Sequence, residues 1–254
     1  MSSDPTKDLA AFFADLRYES LPAAVRERVI DIVLDTVASA IAGRRGDETA
    51  QIEALAASIG GPPGSTVIAG PPRSLAGATL VNGYQITAVT VCDIHRPTLC
   101  HVTPEVVPPA LAVAEERDLG GRDLLIAAAA GLETVVRVGA GMRYPSMRAR
   151  GWHSPGVIGP FGGAAAIASL LGFEEARFHH ALSLAGTQSA GTFAHWGTPT
   201  IKFHQSRGAL SGLLAGLLAE QGFPAGPEIL THHHGGLFNL YSDGGDPAAL
   251  VAGL

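Results

Sequence analysis

Twelve consecutive residues, Thr90-Val91-Cys92-Asp93-Ile94-His95-Arg96-Pro97-Thr98-Leu99-Cys100-His101, hold an acid, two histidines, two thiols and an arginine. The stretches on either side are rich in Ala and Val. Polar groups packed that densely between apolar segments must be solvated, paired or used. An aspartate near a histidine can orient the imidazole and support its protonated form, the pairing that general acid–base chemistry needs. His95 and His101 are six residues apart, a spacing that suits a loop and does not suit one helical face. A metal reading is also open, because Cys92, His95, Cys100 and His101 could supply four soft or borderline ligands. Their spacing is not a familiar zinc pattern.

Two later islands add to this loop. In Arg148-Ala149-Arg150-Gly151-Trp152-His153-Ser154-Pro155-Gly156 a histidine precedes a helix start. A helix N-terminus attracts anions, and Arg150 beside it adds to that attraction. In Pro199-Thr200-Ile201-Lys202-Phe203-His204-Gln205-Ser206-Arg207, the cations Lys202 and Arg207 could bind a carboxylate. Taken alone, the first of these islands reads equally well as a capping loop with one exposed histidine, and the second is more commonly the polar start of a surface helix. Gly186-Thr187-Gln188-Ser189-Ala190-Gly191 is not a nucleophile elbow, because two residues rather than one separate its first glycine from the serine. His232-His233-His234 lies in a Gly-rich connector and reads as a solvated loop.

The elements that must position the islands are helices. After Ser20 and Pro22, the residues Val25, Val29, Ile32, Val33, Val37, Ala40 and Ile41 recur at helical spacing, and Gly43 ends the run. Further helices are expected over 47–59, from 74 or 75 to 87, and over 104–116, 122–138, 157–171, 174–188 and 206–221. Thr66-Val67-Ile68-Ala69 is read as a short strand and Ser189 to Pro199 as a loop. Asp246-Pro247 opens one more helix, seven residues before Leu254. Nothing alternates strand with helix, so the chain is expected to be all-α, without a Rossmann-type sheet.

Of the 254 residues 46% are hydrophobic and 16% charged, below the usual quarter, so much of the chain must be buried in its own core or against partners. With a net charge of −6 and no basic cluster, nucleic acid is an unpromising partner, and so is an anionic membrane surface. From Trp152 to Phe173 there is no Asp, Glu, Lys or Arg. Its two prolines and five glycines nevertheless suit a buried, closely packed helix better than a membrane span. The start, Met1 to Asp8, has no basic region followed by an apolar stretch, and two cysteines make no disulfide framework. A cytoplasmic location is the expectation.

In order, the three islands resemble the MmgE/PrpD family over essentially the whole chain. Family members carry a loop of the form D-F-D-D-x-H-x-P-S-x-x-H-P followed by a helix rich in Val, Pro and Ala. Here Asp93 to His101 matches the second half of that loop, and Val106-Val107-Pro108-Pro109-Ala110-Leu111 matches the helix. Arg150 to Ala165 nearly reproduces R-G-F-H-P-T-G-V-F-G-x-F-G-A-A, and Ile201 to Gly212 corresponds to K-R-x-H-x-G-R-A-A-x-S-G.

The resemblance implies a large helical domain that usually dimerises, with a smaller α/β domain closing the active site. It also implies proton transfer next to a carboxylate, leading to dehydration, decarboxylation or epimerisation, generally with no cofactor or metal. By position, His101 and His153 would be acid/base or substrate-binding groups, supported by Asp93, with Lys202 as the lysine. His95, Arg96, Thr98, Arg150 and His204 would bind a small carboxylate. The departures are specific. The first two family aspartates fall on Thr90 and Cys92, Val102 stands where proline is usual, and the family lysine falls on Ile201, one place before Lys202.

Three expectations follow for residues 1–254 as a single helical domain without the α/β domain. The first is the helical subunit of a two-chain lyase or isomerase, with the α/β domain on a separate chain. The second is a non-catalytic helical protein that binds a carboxylate or a partner. The third is a self-sufficient homodimeric isomerase or cyclase.

Overall fold

The computed structural model describes residues 4–254. Among the described residues twelve α-helices follow one another and no strand occurs. They are α1 Pro5–Ala14, α2 Ala23–Gly43, α3 Thr49–Ile59, α4 Leu75–Ala88, α5 Thr103–Glu116, α6 Gly121–Gly141, α7 Tyr144–Ala149, α8 Ser154–Leu170, α9 Glu175–Gly186, α10 Thr200–Glu220, α11 Leu237–Tyr241 and α12 Pro247–Val251. Single 3₁₀ turns stand at Tyr18–Ser20, Arg96–Thr98 and Phe193–His195.

Helix starts follow local chemistry. Asp4 accepts from the Thr6 amide at 3.0 Å, with Pro5 at the first helical position. Ser74 accepts from the Gly77 amide at 3.1 Å, and Glu174 accepts from the Ala176 and Arg177 amides. Gly172 takes the left-handed conformation (φ 63°) just after α8, as a glycine beyond a helix end commonly does.

The charge-free segment is α8, buried along nearly its whole length. Its glycines let neighbouring backbones touch. A Cβ on Gly212 of α10 would lie 2.7 Å from the Gly163 Cα and 2.8 Å from the Pro160 carbonyl oxygen. A Cβ on Gly131 of α6 would lie 2.7 Å from the Gly162 carbonyl oxygen. The α8 helix is thus clamped between α6 and α10, and its small residues are the condition of that packing. Among the described residues one helix, α6, is long and apolar enough to cross a membrane by length and composition alone, and half of its most apolar stretch is buried within this fold.

The structure departs from the sequence reading in three places. Thr66-Val67-Ile68-Ala69 is not a strand, and only an isolated bridge joins Ser65 and Arg73. The Asn82 side chain takes the pairing a strand would have made: it accepts from the Ile68 amide and donates to the Thr66 carbonyl, both at 2.8 Å. Helix α10 begins at Thr200 rather than Ser206, because the Pro199 carbonyl already accepts from the Lys202 and Phe203 amides. The third island is therefore the first two turns of a helix. The short helices α7 and α11, and α1 at the N-terminus, had no counterpart in the periodicity.

Candidate functional site

Asp93 has its carboxylate turned back into the fold. It accepts from the Val102 and Thr103 amides, both at 3.1 Å, and from the Thr103 hydroxyl. In effect it caps the start of α5 from nine residues upstream. The rest of the loop closes on itself, with the His95 amide donating to the Cys100 carbonyl at 2.8 Å and Leu99 left-handed (φ 42°). The Ser154 hydroxyl donates to the Leu99 carbonyl at 2.8 Å, tying the loop to the start of α8.

This construction fixes His101. Its Nδ1 lies 2.7 Å from the Asp93 backbone carbonyl, which can only accept. Nδ1 is therefore the donor, and in the neutral ring Nε2 is left as the acceptor, the arrangement of an oriented imidazole base. The Cys92 thiol, 3.4 Å from the same nitrogen, is pushed up to about 12, first by burial and then by the nearby Asp93 charge. It stays a neutral thiol.

His101 lines a cavity of about 790 Å³ together with His153, Ser154, Thr87, Thr90 and Ile201. Its charged members are Lys202, Arg148 and Glu48. Lys202 lies in the first turn of α10, and its ammonium donates to the Ala88 carbonyl at the end of α4. That bond fixes the side chain and leaves two of its three protons for a ligand. The Arg148 guanidinium lies 3.3 Å from the centre of the Phe193 ring, a cation–π contact that orients it. Glu48 accepts from the Tyr84 hydroxyl at 3.1 Å. The outer wall is apolar: Ile94, Leu99, Phe193 and Trp196 all face the cavity, with Phe193 and Trp196 stacked at 4.7 Å.

Behind this surface lies a second, drier polar group. His153 is buried at the N-cap of α8, its amide held by the Gly191 carbonyl at 3.0 Å. Its Nδ1 is 3.2 Å from the Nδ1 of His204, so one proton is shared along that line. Burial, then the neighbouring His204, His101 and Arg148, push His153 down to about 3. Burial and Arg207 also lower His204. Both imidazoles are neutral near pH 7, and His153 can offer a neutral hydrogen bond but no imidazolium. Arg207 is not a free carboxylate ligand. Its guanidinium donates to the Gln188, Gly156 and Ala190 carbonyls at 2.8–2.9 Å, stapling α10 to the start of α8.

Of the residues singled out in the sequence, the structure brings His101, His153 and Lys202 to one cavity, with His204 directly behind His153. The others lie elsewhere. His95 bonds the Thr98 hydroxyl at 2.8 Å, and Thr98 is buried against Gly139 of α6. Arg96 is exposed on the 3₁₀ turn between them. Arg150 is exposed and directed to the Asn239 carbonyl. The cation at the cavity is Arg148, two residues earlier on α7. The four proposed metal ligands are not gathered, since His95 is turned to Thr98, and no group of three or more His, Cys, Asp or Glu among the described residues could hold an ion.

Sequence reasoning missed Arg148, Glu48 and the aromatic pair. The spacing of Phe193 and Trp196 in an otherwise polar loop was a usable sign. Nothing marked Glu48. Also missed was Glu105 on α5, fully buried with both carboxylate oxygens unpartnered. Gly159 makes room for it, since a Cβ there would sit 2.4 Å from its Cγ. Burial, reinforced by Asp93, raises it well above the carboxylate range, so Glu105 is held as the neutral acid.

A helical scaffold thus sets an oriented imidazole, two anchored cations and a neutral histidine on one cavity, with a second neutral histidine directly behind. Residues 7–250 match the MmgE/PrpD N-terminal domain, and the chain belongs to the MmgE/PrpD family. It is similar to the cis-aconitate decarboxylase of Aspergillus terreus, 28% identical over 250 residues that cover 95% of this chain and 51% of that protein. The cis-aconitate decarboxylase-like protein oryM of Aspergillus oryzae is 30% identical over 249 residues, 94% of this chain and 52% of its own length. Human cis-aconitate decarboxylase is 29% identical over 157 residues, 60% of this chain and 32% of its own. The chain thus spans about half the length of the curated relatives it matches over nearly its whole extent.

Proposed function

We propose that this chain is the helical half of a lyase or isomerase that moves a proton at the carbon next to a carboxylate. The observation that carries the reading is His101, whose Nδ1 proton is committed to the Asp93 carbonyl while its ring lines the cavity with Lys202 and Arg148. Lys202 and Arg148 would hold the carboxylate, and His101 Nε2 would take the proton from the adjacent carbon or return it there. His153 would donate a neutral hydrogen bond to the charge that develops on the carboxylate. Decarboxylation, the activity named for the relatives, would use the same groups in another order. The carbon–carbon bond breaks, carbon dioxide leaves, and the carbanionic carbon is protonated.

Closure of the site would fall to an α/β domain, on a separate chain in our reading, with helical domains paired as a homodimer. The open cavity and its exposed apolar rim support such a cover. The test is to purify the assembly containing this chain from its native cell and follow carbon-bound hydrogen exchange from deuterated water, and carbon dioxide release, with cis-aconitate and related acids. We expect turnover that His101→Ala abolishes. Turnover untouched by His101→Ala would sink the reading. A second reading, a carboxylate-binding protein without turnover, draws support from Thr90 and Ile201, which line the cavity where the family pattern carries Asp and Lys. Exchange by the intact assembly excludes it.

A further inference from the structure

Resting on that reading, we propose that the substrate is a dicarboxylate carrying an apolar arm rather than a compact tricarboxylate, and that Trp196 is the residue that selects for the arm. The cavity's charges set the first part. Among the described residues that line it, Lys202 and Arg148 are its only Lys or Arg and Glu48 its only carboxylate. Two cations match two carboxylates, whereas a third would stand unpaired or against Glu48, which costs affinity.

The size of the cavity sets the second part. At roughly 30 Å³ per water-sized atom, about 790 Å³ has room for about two dozen non-hydrogen atoms, around twice a six-carbon tricarboxylate. The excess volume is bounded by apolar side chains. Ile94 is 45%, Leu99 47% and Trp196 69% exposed, and the indole lies against Phe193 with the two planes 12° apart. Such a flat, rigid wall, wet in the empty site, gains by covering a hydrocarbon or unsaturated chain.

Isothermal titration calorimetry on the intact assembly with succinate, propane-1,2,3-tricarboxylate and 2-hexylsuccinate tests this. Each methylene withdrawn from water strengthens binding up to about fourfold, so hexylsuccinate should bind more than about tenfold tighter than succinate even with its arm half covered. The tricarboxylate should bind no tighter than succinate. Trp196→Ala, at an exposed position where the fold is not at stake, should erase most of the advantage of hexylsuccinate over succinate, read as the ratio of the two affinities. Hexylsuccinate binding no better than succinate, an advantage that survives Trp196→Ala, or a tricarboxylate that binds tightest would each overturn the proposal while leaving the carboxylate site standing. If none of the three acids binds, both the proposal and the function it rests on fall.

Discussion

Two polar regions lie back to back in this molecule, and they use similar residue types in opposite ways. The front region, His101, Lys202, Arg148 and Glu48, faces the cavity. The rear region, His204, Arg207 and Glu105, is sunk between α5, α8 and α10, with His153 at its edge on the cavity, and burial drives all four groups toward their neutral forms. Arg207 shows how far this goes. It stays charged, yet it spends its donors on three backbone carbonyls. The contrast teaches that the charge offered to a ligand comes from groups with one structural bond and contact with the cavity, while the groups behind them set geometry.

That division can be broken experimentally. The largest effect is expected at His101. His101→Ala should lower turnover of the intact assembly about 10²- to 10⁴-fold with little change in melting temperature. Next comes Lys202→Met, which should weaken binding of a simple dicarboxylate about 10- to 100-fold by removing one charge-assisted contact. Smaller, and opposite in kind, is Glu105→Gln. A buried acid whose folded pKa lies above its unfolded value stabilises the fold below the unfolded pKa and loses that contribution as pH rises. The amide cannot ionise, so Glu105→Gln should gain stability relative to the parent as pH rises into the alkaline range, with the gap closing toward acid pH. A Glu105→Gln protein that unfolds at neutral pH would mean instead that Glu105 is ionised against Arg207, and the rear region would not be the neutral layer described.

His153 has the converse dependence. Its folded pKa of about 3 lies below the ordinary histidine value, so the parent should lose stability as pH falls from about 6.5, on the order of a few kcal/mol by pH 4. Thermal unfolding of the parent and His153→Gln across that range should show the slope flattened in the variant. The smallest effect is reserved for His95→Ala, expected within about threefold of the parent in ligand affinity, because its ring bonds Thr98 and not the cavity.

Much of the scaffold was legible because helical periodicity and glycine spacing are local. The runs that became α2, α3, α4, α5, α6, α8 and α9 were visible within a few residues of their ends. The small-residue α8 read as a buried helix for the reason the fold gives, that Gly162, Gly163 and Gly212 let backbones meet. The strand at 66–69 failed because its pairing comes from Asn82, more than a helical turn away in the chain. The site was half legible. Residue type and order pointed to His101, His153 and Lys202. What sequence could not resolve was direction within a twelve-residue loop. Asp93 and His95 point inward to Thr103 and Thr98, and only the tertiary path of the chain decides that. Arg148 rather than Arg150 faces the cavity because α7 turns one of two nearby arginines inward, a register that six helical residues do not announce.

The central claim is that the carboxylate sits against His101 and Lys202, and that the loop's other histidine takes no part. The most direct measurement is the ring signals of isotope-labelled histidines, followed by NMR as succinate is added to the full chain. The account predicts that the His101 signal shifts progressively, that the His95 signal stays fixed, and that Lys202→Met removes the His101 shift. A His95 signal that moves while His101 stays still would contradict it.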